Sequence, residues 1–216
     1  MIVVLLGPPG CGKGTQGERV AAALGVPKIS TGDVIRAAIK ARTPLGGEAK
    51  AYYDRGDLVP DALIMGIIRE VIAAPEQARG VILDGVVRTV PQAEGLSTVL
   101  AGLGRALDVV MLFEIGDDLL VQRLSGRTTC DACGTPFSGR QPGEPHADCL
   151  KFPKGHLARR KDDEPDAVRN RLNVYQAQTA PVIAWYRSHG ANVAPVNAVG
   201  ALDDVTARAL KVVGKG

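Results

Sequence analysis

At 216 residues, with 45% hydrophobic and 23% charged residues, the chain has ordinary globular composition and can bury a core without disulfides or metals. A formal net charge of +3 is too small to mark a nucleic-acid binder, although a mild basic excess suits a protein that handles polyphosphates. No run approaches about 18 consecutive apolar residues, which excludes a membrane-spanning helix.

In chain order, the first apolar run, IVVLL, has no basic segment before it and no cleavage site after it, so it reads as a buried strand rather than a leader. Further strands are expected at residues 27–30, 81–84, 107–114 and 192–196. Between them, helices are expected at 13–24, 34–41, 45–55, 61–73, 90–100, 117–125, 166–188 and 203–212. This alternation predicts one α/β core with a parallel five-stranded sheet. Two segments interrupt it. Residues 31–60 hold two helices with no strand between them, a helical insertion. Residues 127–163 are rich in Gly, Pro, Cys and Arg with little periodicity, and so long a loop needs a ligand or a metal to order it. That segment is a candidate lid.

The run Gly7-Pro8-Pro9-Gly10-Cys11-Gly12-Lys13-Gly14-Thr15 falls between the first strand and the first helix. Glycines there let backbone N–H groups curl around a polyphosphate, with the helix dipole adding to the attraction, and Lys13 is placed to reach the terminal phosphates. Gly14 stands where a hydroxyl residue usually follows the lysine, with Thr15 one step on. Asp84 ends the strand at 81–84, where a carboxylate beside a phosphate loop holds Mg2+ or its waters. The bland alternatives are a surface lysine on a Gly-rich turn and a turn-capping aspartate.

GPPGCGKGTQ, ISTGDVIRAAI, ILDGVVRTVPQAE, RLSGR and RKDD followed by VRNRL resemble bacterial adenylate kinases, in order and spacing across nearly the whole chain. The resemblance implies the fold of a P-loop nucleoside monophosphate kinase. Its core would be residues 1–30, 60–126 and 164–216, its AMP-binding insertion 31–59 and its lid 127–163. It implies Mg-dependent transfer, ATP + AMP ⇌ 2 ADP. By position, Gly10, Cys11, Gly12, Lys13, Gly14 and Thr15 would bind ATP phosphates, with Arg123, Arg127, Phe137 and Gly200 also on the ATP side. Thr31, Arg36, Asp57, Leu58, Val59, Gly85, Val86, Val87, Arg88 and Gln92 would hold AMP. Arg160 and Arg171 would contact AMP and the transferring phosphoryl group.

The chemistry agrees with that assignment. Charge spreads over the transferred group, so positioned cations matter more than a covalent nucleophile. Lys13, Arg88, Arg123, Arg127, Arg160 and Arg171 supply them, and arginine's planar fork suits phosphate oxygens. For any one arginine the alternative is a solvated surface charge. Asp162 and Asp163 either cap the following helix or close the lid against cations; Asp33 is expected to cap the helix it opens. One motif departs: the family reads Asp-Gly-Phe-Pro-Arg where this chain has Asp84-Gly85-Val86-Val87-Arg88. A fixed φ and an aromatic packing surface are lost, so restoring Phe and Pro is expected to improve the handling of AMP.

Cys130-Asp131-Ala132-Cys133 is a CxxC knuckle, and His146-Ala147-Asp148-Cys149 follows it. Two short paired-ligand units give the spacing of a structural tetrahedral Zn2+ site, and many of the bacterial enzymes resembled carry such a metal. Their second pair begins near Cys149, but three residues on stands Phe152, which binds no metal. Cys130, Cys133, His146 and Cys149 are therefore the expected ligands, with Asp148 or His156 as other choices for the fourth. Metal-free thiols and a disulfide are the alternatives. Cys11 is given no metal role. The thiols are expected to be reduced in the cytoplasm, and the partners to be ATP, AMP and ADP, with no nucleic acid or membrane and the protein a monomer. Rival readings are a UMP or CMP kinase, a nucleotide-binding regulator without catalysis, and a zinc-ribbon nucleic-acid binder.

Overall fold

The computed structural model describes every residue except Gly56, Asp57, Leu58, Lys151, Phe152, Arg160, Lys161, Asp162, Glu164 and Gly216. Five parallel strands form the central sheet: β1 (Ile2–Leu6), β2 (Lys28–Ser30), β3 (Val81–Asp84), β4 (Val109–Glu114) and, last in the chain, β8 (Val193–Asn197), in the order β2-β3-β1-β4-β8. β1 is buried at all five positions, as expected of a parallel strand covered on both faces. Its register is set by Val3 opposite Ile82 on one side and Val109 on the other.

Helices α1 (Lys13–Leu24), α2 (Thr31–Ala41), α3 (Pro44–Arg55), α4 (Asp61–Ala73) and α5 (Val90–Gly102) lie in the first part of the chain. α8 (Ala180–Ser188) and α9 (Leu202–Val212) lie in the last. Ile2, Val4 and Leu6 of β1 join Ile67 and Ile68 of α4, Leu96 of α5 and Val182 of α8 in one apolar cluster. With the strands above, these helices make a compact unit of Met1–Pro8, Gly12–Glu114 and Tyr175–Gly216. A second unit comprises Pro9–Cys11 and Ile115–Val174. It contains α6 (Asp117–Ser125), α7 (Pro165–Val174) and an antiparallel sheet, β6-β5-β7, made of β5 (Arg127–Cys130), β6 (Pro136–Ser138) and β7 (Leu157–Ala158).

Three local expectations change. The helix expected from residue 34 begins at Thr31, and its cap is Ser30, whose Oγ accepts from the Asp33 N–H at 3.2 Å. Asp33 is instead the reciprocal partner, accepting from Ser30 Oγ at 2.5 Å; that bond, with lesser help from Arg36, holds its carboxyl below the usual range. The long helix at 166–188 is interrupted by a π-helical turn, Tyr175–Thr179, next to Pro181. Proline has no N–H to offer the carbonyl four residues back, and the wider turn absorbs that defect. The lid segment, legible only as a loop, contains the three-stranded sheet. No helix is long and apolar enough to cross a membrane, among the described residues.

Among the described residues, Tyr186 is the largest fully buried side chain, and its hydroxyl finds no hydrogen-bond partner there. Burial accordingly pushes its pKa up. A hydroxyl desolvated without a partner destabilises the fold. Tyr186→Phe is therefore expected to raise stability by about 1 kcal/mol and Tm by about 3 °C. A melt of the variant beside the parent checks it, and a lower Tm would show that the hydroxyl has a partner in solution.

Candidate active site

β1 delivers the chain into the glycine-rich loop, where Gly7, Gly10 and Gly12 take φ of 143°, 85° and 99°. Side chains rarely adopt these angles, so the loop's shape needs glycine. Gly12 is the N-cap residue of α1 and brings no side chain to the first-turn N–H groups, which with the helix dipole suit an anion. Lys13 Nζ donates to the carbonyls of Gly7 (2.5 Å) and Pro8 (2.9 Å), folding the cation over its own loop. Cys11 is buried and, among the described residues, belongs to no cluster of metal-ligating groups.

Asp84 stands at the tip of β3, over the first turn of α1: a Cβ built on Gly14 would lie 3.6 Å from its Oδ2. Its ion partner is Lys28, 3.6 Å away. A hard carboxylate beside an anion-binding turn fits Mg2+, which keeps several waters and needs few protein ligands.

The loop after β3 is tied down by side chains. Thr31 Oγ1 donates to the Gly85 carbonyl at 2.9 Å, and Arg88 Nε donates to the same oxygen at 3.2 Å. The Arg88 N–H donates to Gln92 Oε1 (2.7 Å), and Gln92 Nε2 donates to Asp61 Oδ1 (2.7 Å). Thr179 Oγ1 donates to the Arg88 carbonyl at 2.9 Å. The structure thus gathers Thr31 from α2 and Gln92 from α5 around the loop that carries Gly85 and Arg88. Arg36 lies on α2, exposed and paired with Asp33 at 2.6 Å, and Val59 packs against the core. Asp57, Leu58 and Arg160 fall outside the described residues.

Val86 and Val87 are buried in the core, at 1% and 2% exposure. The bonds that Arg88 donates to Gln92 and Gly85 and accepts from Thr179 hold this loop without the family's proline. The expectation that Phe and Pro would improve AMP handling is therefore replaced. Val86→Phe is expected to overpack the core and lower stability by about 1–3 kcal/mol, without a lower KM for AMP. Denaturant unfolding and steady-state kinetics check both parts.

Gly200 (φ 111°) lies in a loop clamped by Arg208, whose guanidinium donates to the carbonyls of Asn197 and Val199. Nothing in the sequence marks Arg208 for this, because the contact depends on α9 packing beside β8.

In the second unit, Arg123 sits in the last turn of α6, and Arg171 in the last turn of α7. Asp163 accepts from Arg127 through Nε (2.7 Å) and Nη2 (2.5 Å), and from Arg171 Nη1 at 3.3 Å. Its side chain is only 3% exposed. Of the two roles open to Asp163, holding cations is the one its contacts support: a buried carboxylate aims two of the six cations selected from sequence.

The lid sheet carries the thiol cluster. Cys130, Cys133, His146 and Cys149 place their ligand atoms within 4.8 Å of one another. Cys130 and Cys149 sulfurs are 3.9 Å apart, and Cys133 Sγ lies 3.3 Å from His146 Nδ1. A tetrahedron with Zn–S bonds of about 2.3 Å has S···S edges of roughly 3.8 Å, so the donor set fits zinc. Hydrogen bonds from the Thr135 hydroxyl and backbone bring the Cys133 thiol down to about 6, which favours the thiolate a metal needs; burial pushes Cys130 up. Asp148 and His156 lie outside the cluster and are exposed. Gly155 passes so close that a Cβ there would stand 2.4 Å from Cys130 Sγ, so glycine is required. Phe137, expected on the ATP side, packs edge-on against His146 with ring centroids 4.8 Å apart.

A parallel sheet, a glycine-rich loop opening a helix, a carboxylate at the neighbouring strand tip and paired arginines define a P-loop phosphotransferase. The family model described as "Adenylate kinase" matches residues 5–191. The chain is 64% identical over 211 residues to an adenylate kinase of Gemmatimonas aurantiaca, covering 97% of each chain. It is 45% identical to one from a Geobacter species over 190 residues, 88% of this chain and 89% of that one. It is 43% identical to one from Salinispora tropica over 210 residues, 97% and 96% of the two chains. The chain belongs to the adenylate kinase family.

Proposed function

We infer that the chain catalyses the reversible transfer ATP + AMP ⇌ 2 ADP with Mg2+. The observation that carries this is the phosphate loop with Lys13 folded over it and Asp84 beside its first helical turn. The loop, residues 10–15, takes the ATP phosphates, and Asp84 would hold Mg2+ or its waters, which would neutralise phosphate charge. Arg88, Arg123, Arg127, Arg160 and Arg171 supply the cations that draw two anionic nucleotides together. Thr31, Arg36, residues 57–59, the loop 85–88 and Gln92 form the AMP side, and Phe137 and Gly200 belong to the ATP side.

The functional lobes are a core of residues 1–30, 60–126 and 164–216, an AMP-binding insertion at 31–59 and a lid at 127–163. Closing such a lid excludes water, which would otherwise intercept the phosphoryl group. Zn2+ held by Cys130, Cys133, His146 and Cys149 orders the lid. The working form is a cytoplasmic monomer.

ADP formation from ATP, tested in parallel with AMP, UMP and CMP, examines the assignment. AMP is expected to be preferred by at least about 100-fold in kcat/KM, since a wrong base leaves buried polar groups unpaired. Equal rates with UMP or CMP would overturn the AMP assignment, and no ADP with any of them would leave a binding protein without catalysis.

A further inference from the structure

Among the described residues, Asp84 pairs with Lys28, and Lys28 pairs in turn with Glu18. Lys28 Nζ lies 3.6 Å from Asp84 Oδ2 and 3.4 Å from Glu18 Oε1. The Lys28 and Asp84 side chains are 18% and 17% exposed, whereas Glu18 is 70% exposed. The ammonium is thus shared between a sheltered carboxylate that has a task and an exposed one that has none in the reaction.

We propose that Lys28 is a displaceable counter-cation of Asp84, a positioning residue that sets how much Mg2+ the enzyme needs. This rests on the reading of Asp84 as the carboxylate that holds Mg2+ and its waters. A partly buried carboxylate at a strand tip is costly to keep ionised without an opposite charge nearby. Lys28 supplies that charge and keeps the carboxylate aimed at the first turn of α1. Were Asp84 to hold a hydrated dication, the Lys28 ammonium would be repelled toward Glu18, with which it is already paired at 3.4 Å. Lysine suits this use, because its flexible stem lets a point charge change partners without a fixed fork geometry. The device therefore weakens the grip on Mg2+, and Glu18 partly offsets that by drawing Lys28 away.

The test reads Mg2+ dependence in two ways: the midpoint of activation at fixed nucleotide, and the midpoint for ATP protection against thermal unfolding, which needs no turnover. Lys28→Met is expected to lower both midpoints by about three- to tenfold, the size of a partly screened charge pair. Glu18→Gln, leaving the ammonium wholly to Asp84, is expected to raise both by about twofold. Lys28→Arg keeps the charge and is expected to stay nearer the parent than Lys28→Met. An unchanged or raised midpoint in Lys28→Met, or a lowered one in Glu18→Gln, overturns the proposal. Asp84→Asn separates the two readings. If it raises the midpoints while Lys28→Met does nothing, only the counter-cation fails. If it leaves them unchanged, the role of Asp84 fails too.

Discussion

Lys13→Ala is expected to lower kcat by about 10²- to 10³-fold while the protein still folds. The ammonium belongs to the phosphate loop itself, and removal of one preorganised donor from developing charge has this scale of effect. Among its bonds, those to the Gly7 and Pro8 carbonyls lie within a single partly exposed loop, where water can replace them when the side chain is cut back. The core of β1, β3 and β4 is buried independently of it. Single-turnover ADP formation, with circular dichroism and a thermal melt for comparison, measures both sides. A folded variant with parental kcat would remove Lys13 from the reaction.

Loss of the proposed lid zinc is the second large effect expected. Cys130→Ser is expected to abolish stoichiometric zinc, with the lid melting about 10 °C lower while the main unit stays folded. The lid sheet is small. Its own buried apolar cluster comprises Cys130, Cys149 and Leu157, with Cys133 and Phe137 packed against it, so the ligands are much of what it has to bury. Such a lobe gathers its ligands only when folded, which makes metal binding part of its folding. Activity at moderate temperature is expected to persist, since none of the four ligands lies on the phosphate loop. Elemental analysis with calorimetry decides the matter, and His146→Ala identifies the fourth ligand. Full zinc retention there would exclude His146, while no zinc in the parent would leave the cluster as plain lid packing.

Much of this could be read from the sequence because it rests on local physics. IVVLL followed by a glycine-rich run and a helical pattern states a buried strand, a phosphate turn and a helix within 24 residues. CxxC followed by HxxC states two metal knuckles for the same reason: the ligands of each pair are neighbours along the chain. The parallel sheet follows from the alternation of short apolar runs with amphipathic helices.

What stayed hidden depends on partners far apart in the chain. Asp163 read equally well as a helix cap until the fold brought Arg127, 36 residues away, onto it. Gln92 read as an AMP ligand, yet its amide also joins the Arg88 backbone to Asp61, 31 residues off. Val86 and Val87 read as a weakened binding loop, and only burial identified them as core. The lid strands have two to four residues each and too little alternation to register as a pattern. Local propensity and motif spacing thus determined the class, the phosphate loop and the metal knuckles. Which carboxylate steadies which cation was decided by the tertiary structure, because a charge acts through distance in space and side-chain burial, and a linear sequence records neither.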